Sequence, residues 1–323
     1  MRPPSHVPQR WPAIDLAGRL PVVGPRIVSA HDAVWRKVHP YQWRARNERS
    51  RRALDQARPA LSPLQDRLVA GLRETGVAHV PIGDLLGPDA WPALAREAEA
   101  WLGQPDVVER ERAFREGGHQ SARKKEFIIR LYGDGSFIPG TSRWLQVALR
   151  TEILDVVNAY LGAYASLQYL DVWNTIAVPD RQRFTGSQHW HRDPEDQTIV
   201  KAFLYLSDVD EGAGPMHYVP GSRLGERYGG LWPQRFPDGS YPPADVFERE
   251  VPRSEWVVCA HPAGTLVLAD TVGFHMGGRA TTRNRVLATW CYATPGSVWG
   301  RGFSTDLSPD DAALPVAARA ALR

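Results

Sequence analysis

Cysteine is scarce in this sequence, because only Cys259 and Cys291 occur among 323 residues. Two cysteines are too few for a disulfide framework and are not spaced as a zinc pair, so we expect nitrogen and oxygen ligands for any bound metal. Long apolar runs are also absent: no window approaches the roughly 20 apolar residues that cross a bilayer, and the N-terminus lacks the apolar stretch of a secretion signal. These absences predict a soluble cytoplasmic protein that does not act at a membrane.

Positive charge is concentrated at the start of the chain. The formal net charge is only +3, yet residues 1–60 contain 12 Lys and Arg against 4 Asp and Glu. Clustered cations are used by nucleic-acid arms, but no nucleic-acid motif accompanies this cluster, so a solvated helix face or a leader packed over the main domain is favoured. We therefore expect no nucleic-acid partner. The predicted division is a basic, Pro/Arg/Trp-rich extension over 1–60 and a single catalytic domain over 61–323.

Helical periodicity dominates the first half of that domain and short strands the second. Residues 61–164 favour helices, with short strands over 77–81 and 127–132. Beyond them, apolar and β-branched runs separated by Gly, Pro and Asp turns predict strands over 166–178, 198–209, 216–219, 256–259, 265–269 and 285–293. This order predicts an α+β fold: a double-stranded β-helix core (jelly roll, cupin-like) over 165–296, with helices packed on one face. The Pro/Gly-rich stretch 223–253 is too long for a plain turn and is expected to be a lid-like insertion.

One short motif offers candidate metal ligands. The segment QHWHRD at residues 188–193 contains His191 and Asp193 with a single residue between them. Side chains two positions apart on a strand lie on the same face, so this imidazole and this carboxylate can converge on one ion. A third candidate is His275, where an apolar strand runs into a Gly-rich turn. Two histidines and one carboxylate with open positions favour non-haem Fe(II) chemistry, in which O2 and a co-substrate can bind.

An arginine follows at a useful distance. Arg285 lies ten residues after His275 and opens the last predicted strand. A guanidinium can hold a carboxylate in a bidentate fork that lysine cannot reproduce, so a dicarboxylate could chelate iron at one end and contact Arg285 at the other. This arrangement suggests 2-oxoglutarate as co-substrate.

Four segments carry a resemblance to a known family. They are HWHRD (189–193), LSDVDEGAGPMHYVPGSR (206–223), GTLVLADTVGFH (264–275) and RNRVLATWCY (283–292). Over residues 165–296 the sequence resembles the phytanoyl-CoA dioxygenase-like family of Fe(II)/2-oxoglutarate-dependent oxygenases. The resemblance implies that His191, Asp193 and His275 bind iron and that Arg285 binds 2-oxoglutarate. Arg283 is an alternative to Arg285, since the spacing from His275 to Arg285 is one residue shorter than is common in the family.

The resemblance also bears on other residues. Asn174 lies on the strand before the first motif, where family members often place an amide that contacts 2-oxoglutarate; an ordinary strand-end hydrogen bond is equally compatible, and Gln168 is a similar but weaker candidate. Arg223 stands where the family usually has His after Pro-Gly-Ser, a departure that affects the turn and not the ligands. Related halogenases replace the carboxylate ligand with a small residue, so Asp193 favours hydroxylation or another oxidation over halogenation.

The predicted activity is therefore an Fe(II)/2-oxoglutarate-dependent oxygenase. Such an enzyme uses O2 to hydroxylate, or otherwise oxidise, an unactivated C–H bond of a small molecule, such as a secondary-metabolite intermediate, with release of succinate and CO2. Two alternatives stay open at this stage, because each motif also occurs by chance: a cupin-like metal enzyme that does not use 2-oxoglutarate, and a non-catalytic binding protein. The sequence makes no prediction of oligomeric state.

Overall fold

The computed structural model describes residues 24–57, 59–117, 126–178, 186–234, 240–297 and 299–323, with side chains from residue 41 onward. The first 23 residues of the predicted extension lie outside these ranges. No helix within them is long and apolar enough to cross a membrane.

Helices form most of the chain before residue 165. In chain order they are α1 Gly24–Ala57, α2 Pro63–Thr75, α3 Ile82–Leu86, α4 Ala90–Leu102, α5 Pro105–Glu116, α6 Arg143–Ala148 and α7 Thr151–Leu161, followed later by α8 Ala244–Glu250 and α9 Val316–Ala321. The boundaries of α2 show how sequence sets such a helix. Ser62 and Gln65 form a capping box at its start, and Gly76 ends it with a left-handed φ of 84°.

Strands follow the predicted order. They are β1 Val77–Pro81, β2 Ile128–Arg130, β3 Ser166–Thr175, β4 Ile199–Tyr205, β5 Met216–Tyr218, β6 Val257–Cys259, β7 Thr265–Ala269, β8 His275–Gly277 and β9 Arg285–Ala293. The larger sheet has the order β1-β7-β4-β9-β3-β2, and the smaller sheet has the order β6-β5-β8. Every pairing between these strands is antiparallel. The strands β1 and β2 lie where short strands were predicted, over 77–81 and 127–132, and each forms one edge of the larger sheet.

Alternation along β4 separates two layers of core. Val200, Ala202 and Leu204 pack in the cluster shared with the helices. Tyr205 belongs instead to the cluster that joins the two sheets, with Phe203 packed against it. Since successive side chains on a strand point to opposite faces, one face of the larger sheet meets the helices and the other faces the smaller sheet. The predicted α+β fold with a jelly-roll core and helices on one face is confirmed.

Helix α1 contacts the loop that follows the first motif. Trp43 Nε1 donates to Asp196 Oδ1, and the amide of Asn47 bonds the Thr294 hydroxyl and the Gly296 backbone N–H. Asn47 is 1% exposed, so this contact is part of the buried core. The C-terminal half of α1 therefore packs over the domain, as one of the two readings of the extension expected.

Candidate metal centre

His191 and His275 face each other across a short antiparallel bridge. Each backbone N–H donates to the other residue's carbonyl oxygen, at 3.0 and 3.1 Å, so the first motif continues the edge of the smaller sheet at β8. Antiparallel pairing places opposite side chains close together, and the two imidazole centroids are 4.1 Å apart. The sheet therefore brings together two histidines that are separated by 84 positions in the sequence.

The tautomer of both imidazoles follows from their hydrogen bonds. His191 Nδ1 lies 2.8 Å from the His189 carbonyl oxygen, and His275 Nδ1 lies 3.0 Å from the Gly273 carbonyl oxygen. A carbonyl oxygen only accepts, so each Nδ1 carries the proton. Burial, together with the neighbouring His275, lowers the pKa of His191 to about 3, which keeps that ring neutral. Each Nε2 therefore directs a lone pair away from its ring.

Those two lone pairs converge on Asp193. His191 Nε2 lies 3.6 Å from Asp193 Oδ1, and His275 Nε2 lies 3.4 Å from Asp193 Oδ2. One ligand atom from each residue lies within 4.8 Å of the other two, and all three side chains are buried. Lone pairs that face a carboxylate without a proton between them repel, whereas a cation between them is attracted to all three groups. The donor set of two nitrogens and one oxygen suits iron(II).

A buried lysine neutralises the carboxylates beside this cluster. Lys201 Nζ lies 2.6 Å from Asp193 Oδ2 and 3.0 Å from Glu195 Oε1. Although burial acts to lower it, the two carboxylates hold the pKa of Lys201 well above its usual value, so the ammonium form persists. Burial also acts to raise the pKa of Asp193, but the Lys201 ammonium holds it well below its usual value. Asp193 is thus an anion in the folded protein.

A cavity of about 130 Å³ opens from the three residues into the space between the sheets. Its walls are largely aromatic, formed by Tyr169, Trp173, Phe203 and Tyr205. Arg285 lies in the same cavity, where Nη1 donates to the Gly278 carbonyl oxygen and Nε has no hydrogen-bond partner. Burial lowers the pKa of this guanidinium. Among the residues that the structure describes, no carboxylate forms an ion pair with Arg285.

The rival arginine lies elsewhere. Arg283 forms an ion pair with Asp210, and both side chains are more than half exposed. Arg283 does not line the cavity that contains Arg285. Of the two arginines that the sequence left open, only Arg285 is placed beside the His–Asp–His cluster.

Asn174 and Gln168 are not brought to the cavity. Tyr169 and Trp173 on β3 line the cavity, so Asn174, the neighbour of Trp173, points to the opposite face, and Gln168 lies at a bulge between Leu167 and Tyr169. Asn174 donates to Glu111 Oε2 on α5 at 2.9 Å. The Gln168 amide donates to the carbonyl oxygens of Trp299 and Gly300. The placement therefore disagrees with the prediction that these two amides contact a co-substrate.

Arg192, the residue between the two ligands of the first motif, anchors the insertion 223–253. Its guanidinium points away from the cavity, is 2% exposed, and stacks 3.6 Å from the Phe274 ring centroid. It donates to five backbone carbonyl oxygens, those of Ser222, Tyr228, Leu231, Trp232 and Val272. Three of these carbonyls belong to the insertion, which is thereby fixed to the backbone that carries both metal-ligand candidates.

The insertion also reaches the mouth of the site. Tyr241 stacks against His191 with ring centroids 5.5 Å apart and an interplanar angle of 8°, and it remains 56% exposed. The arginine that replaces the usual His after Pro-Gly-Ser also has a structural role. Arg223 donates to the carbonyl oxygens of Leu72 and Arg73 at the end of α2, so it ties the turn to the helical layer.

Comparison with known protein families gives a direct result. The model of the phytanoyl-CoA dioxygenase (PhyH) family matches residues 72–286. The chain belongs to this family. The match contains the predicted ligands and Arg285, and it leaves out α1.

Three solved structures illustrate what this PhyH protein is similar to. EctD from S. alaskensis, with 2-oxoglutarate and 5-hydroxyectoine, is 17% identical, with a TM-score of 0.48 and coverage of 71% of this chain and 75% of that chain. The non-heme alpha ketoglutarate dependent epimerase SnoN from nogalamycin biosynthesis is 19% identical, with a TM-score of 0.45 and coverage of 71% and 82%. HygX from Streptomyces hygroscopicus, with nickel and 2-oxoglutarate bound, is 17% identical, with a TM-score of 0.45 and coverage of 73% and 88%. A search of curated protein sequences found no match.

Sequence reasoning missed several residues of the site in this PhyH protein. Lys201 carries a detectable signal, because it is the one charged residue in the strand sequence IVKAFLY and shares its face with Phe203 and Tyr205. Glu195 continues the alternation of His191 and Asp193 along the chain. The contribution of Tyr241 has no such signal, since it depends on how the insertion folds back over the first motif.

Proposed function

We propose that this protein is an Fe(II)/2-oxoglutarate-dependent oxygenase that hydroxylates, or otherwise oxidises, a C–H bond of a small organic molecule. The observation that carries the proposal is the pairing of two features in one cavity. Two histidine lone pairs converge on the Asp193 carboxylate, and an arginine without a counter-ion among the described residues lies beside them. The family membership supports the same chemistry.

His191, Asp193 and His275 would hold the iron. Their Nδ1 hydrogen bonds orient both imidazoles so that each ring presents Nε2 to the metal. Three protein ligands leave coordination positions for a co-substrate and O2, which is the arrangement of non-haem iron oxygenases.

Arg285 would hold the distal carboxylate of 2-oxoglutarate. A guanidinium buried without a carboxylate partner is costly, and a bidentate carboxylate from a ligand offsets that cost. This requirement disfavours a cupin-like enzyme that does not use 2-oxoglutarate, because such an enzyme leaves the buried Arg285 without an anion. A non-catalytic binding protein would leave both Arg285 and the converging histidines without a role.

The remaining wall residues would position the reactants and keep water out. Tyr169, Trp173, Phe203 and Tyr205 enclose the cavity between the metal ligands and Arg285. When bound, iron and 2-oxoglutarate supply the oxidising power with O2 and release succinate and CO2, while the protein contributes orientation and a dry site. Tyr241 lies on the exposed side of His191, so a small-molecule substrate would approach between the metal and this ring.

The decisive experiment is anaerobic addition of Fe(II) and 2-oxoglutarate to metal-free protein. We expect the visible charge-transfer absorption of the iron chelate, its loss in His191→Ala, and its retention in His79→Ala, a matched control on β1. Absence of the absorption in folded wild-type protein, or its persistence in His191→Ala, would remove the assignment. Once the chelate is established, candidate substrates can be screened for stimulated succinate release.

A further inference from the structure

A second carboxylate lies next to the proposed metal site. His191, Asp193 and Glu195 stand at alternate positions of one short segment, and all three side chains are buried. Glu195 is 5% exposed, and its Oε2 atom has no hydrogen-bond partner. It is nevertheless outside the group of ligand atoms that lie within 4.8 Å of one another. The chain therefore places a fourth possible oxygen ligand beside the metal site without including it.

Lys201 is the contact that holds this carboxylate. It lies on β4, where its backbone pairs with Cys291 on β9 and Ala269 on β7, so its Cα position is fixed by strands on both sides. Its Nζ atom bridges Glu195 Oε1 at 3.0 Å and Asp193 Oδ2 at 2.6 Å. One ammonium thus binds the ligand carboxylate and its neighbour at the same time.

The chemistry of the bridge determines how many oxygens the metal can reach. A carboxylate oxygen that accepts a short charge-assisted hydrogen bond has less electron density and less freedom to turn toward a cation. Lys201 binds Oε1 of Glu195 and Oδ2 of Asp193, while Oδ1 of Asp193 faces His191 Nε2 at 3.6 Å and Oδ2 faces His275 Nε2 at 3.4 Å. Two anions compensate the charge of this buried lysine, so each contact helps to keep its partner in place.

We propose that Lys201 is a positioning residue that limits the metal to three protein ligands, by holding Glu195 away from it. This inference rests on the proposed metal site. Its consequence is that the positions needed for a co-substrate and O2 stay open, since a carboxylate from Glu195 would occupy one of them. In the sequence HRDPE (191–195) the acidic residue Glu195 follows the ligand Asp193, and Lys201 lies eight residues after Asp193. On this proposal, Lys201 allows Glu195 to lie beside the metal site without closing it.

The test measures metal coordination directly with Co(II) alone, whose visible absorption depends on ligand number. In Lys201→Met we expect a changed Co(II) spectrum and at least tenfold tighter Co(II) binding, because a nearby positive charge is removed and Glu195 is released as a ligand. The double variant Lys201→Met/Glu195→Leu removes one charge of each sign and the extra ligand. Its Co(II) spectrum should match that of wild type, and its Co(II) affinity should return to within threefold of wild type. Glu195→Leu alone should keep the wild-type spectrum.

Each result separates the possible explanations. Lys201→Gln keeps a hydrogen-bond donor without the charge and is measured in parallel. It should show the same spectral change, and it replaces Lys201→Met if that variant does not fold. The proposal is overturned if folded Lys201 variants keep the wild-type spectrum, if the change persists after Glu195 is removed, or if Glu195→Leu alone alters the spectrum. If wild-type protein shows no Co(II) spectrum that depends on His191, the metal site itself fails and this inference fails with it. A His191-dependent spectrum that is insensitive to Lys201 overturns only the inference.

Discussion

Arg285 offers the sharpest separation between 2-oxoglutarate chemistry and its alternatives. Its guanidinium is buried in the cavity with an unpaired Nε, so the cost of burying the charge is already present before any anion binds. Removing one partner of a buried, hydrogen-bonded charge pair costs about 2–5 kcal/mol. At about 1.4 kcal/mol per tenfold change, Arg285→Met should weaken 2-oxoglutarate binding by about 30-fold to several thousand-fold. Arg285→Lys keeps the charge but loses the fork and should weaken binding at least tenfold.

The assay is an anaerobic titration of the Fe(II) protein with 2-oxoglutarate, followed by the visible absorption of the chelate. Arg283→Met is the matched control, because Arg283 pairs with Asp210 at the surface and should leave the Kd within twofold of wild type. Fe(II) affinity without 2-oxoglutarate is measured for each variant, so that a damaged metal site is not mistaken for a lost anion contact. A Kd for Arg285→Met within threefold of wild type, or a larger loss in Arg283→Met, would refute the reasoning.

Three further outcomes follow from contacts around the site. Burial raises the pKa of Asp196 to about 7, above the ~3.9 of an unfolded chain, so its protonated form stabilises the fold at low pH and this contribution is lost as the pH rises through about 7. We expect urea denaturation to show that the free energy of unfolding of wild type, measured relative to that of Asp196→Asn, falls by about 2–3 kcal/mol from pH 5 to pH 8. A difference between the two proteins that does not change with pH would contradict this. Arg192→Lys leaves buried carbonyl oxygens without donors, so stability should fall by about 3 kcal/mol or more and limited proteolysis should cut first within 223–253; an unchanged cleavage pattern would be evidence against the anchor. Asn174→Ala should lower the Tm by breaking the bond to Glu111 yet keep the Kd for 2-oxoglutarate within twofold, whereas a tenfold weakening would return Asn174 to the co-substrate site.

The placement of the two amides could not be derived from the sequence of β3. Successive side chains on a strand point to opposite faces, but the sequence does not say which face turns toward the smaller sheet. In the structure Tyr169 and Trp173 carry the inward face, the adjacent Asn174 turns toward α5, and Gln168 lies at a bulge. A bulge depends on how the partner strand pairs, and that pairing is decided by residues more than 100 positions away.

The choice between Arg283 and Arg285 was open for a related reason. Both arginines lie near the start of the last strand, and both carry a guanidinium that can bind an anion. The pairing of Arg285 with Thr175 fixes it at the first residue of β9, inside the larger sheet, whereas Arg283 precedes the strand and pairs with Asp210. Spacing along the chain could not distinguish them, because the direction of each side chain is set by where regular pairing begins.

Local patterning by itself determined the order of the helices and strands, and it singled out the candidate metal ligands. Periodic apolar positions, caps and turn residues act between neighbours in the sequence, which is why the helices before residue 165 and the strands after it follow from composition and spacing. Tertiary structure decided the rest: that His275 lies opposite His191, that Lys201 bridges Asp193 and Glu195, and that Arg285 shares their cavity. These contacts join residues from different strands, and their distances are set by sheet pairing and close packing of the two layers, which no short segment specifies.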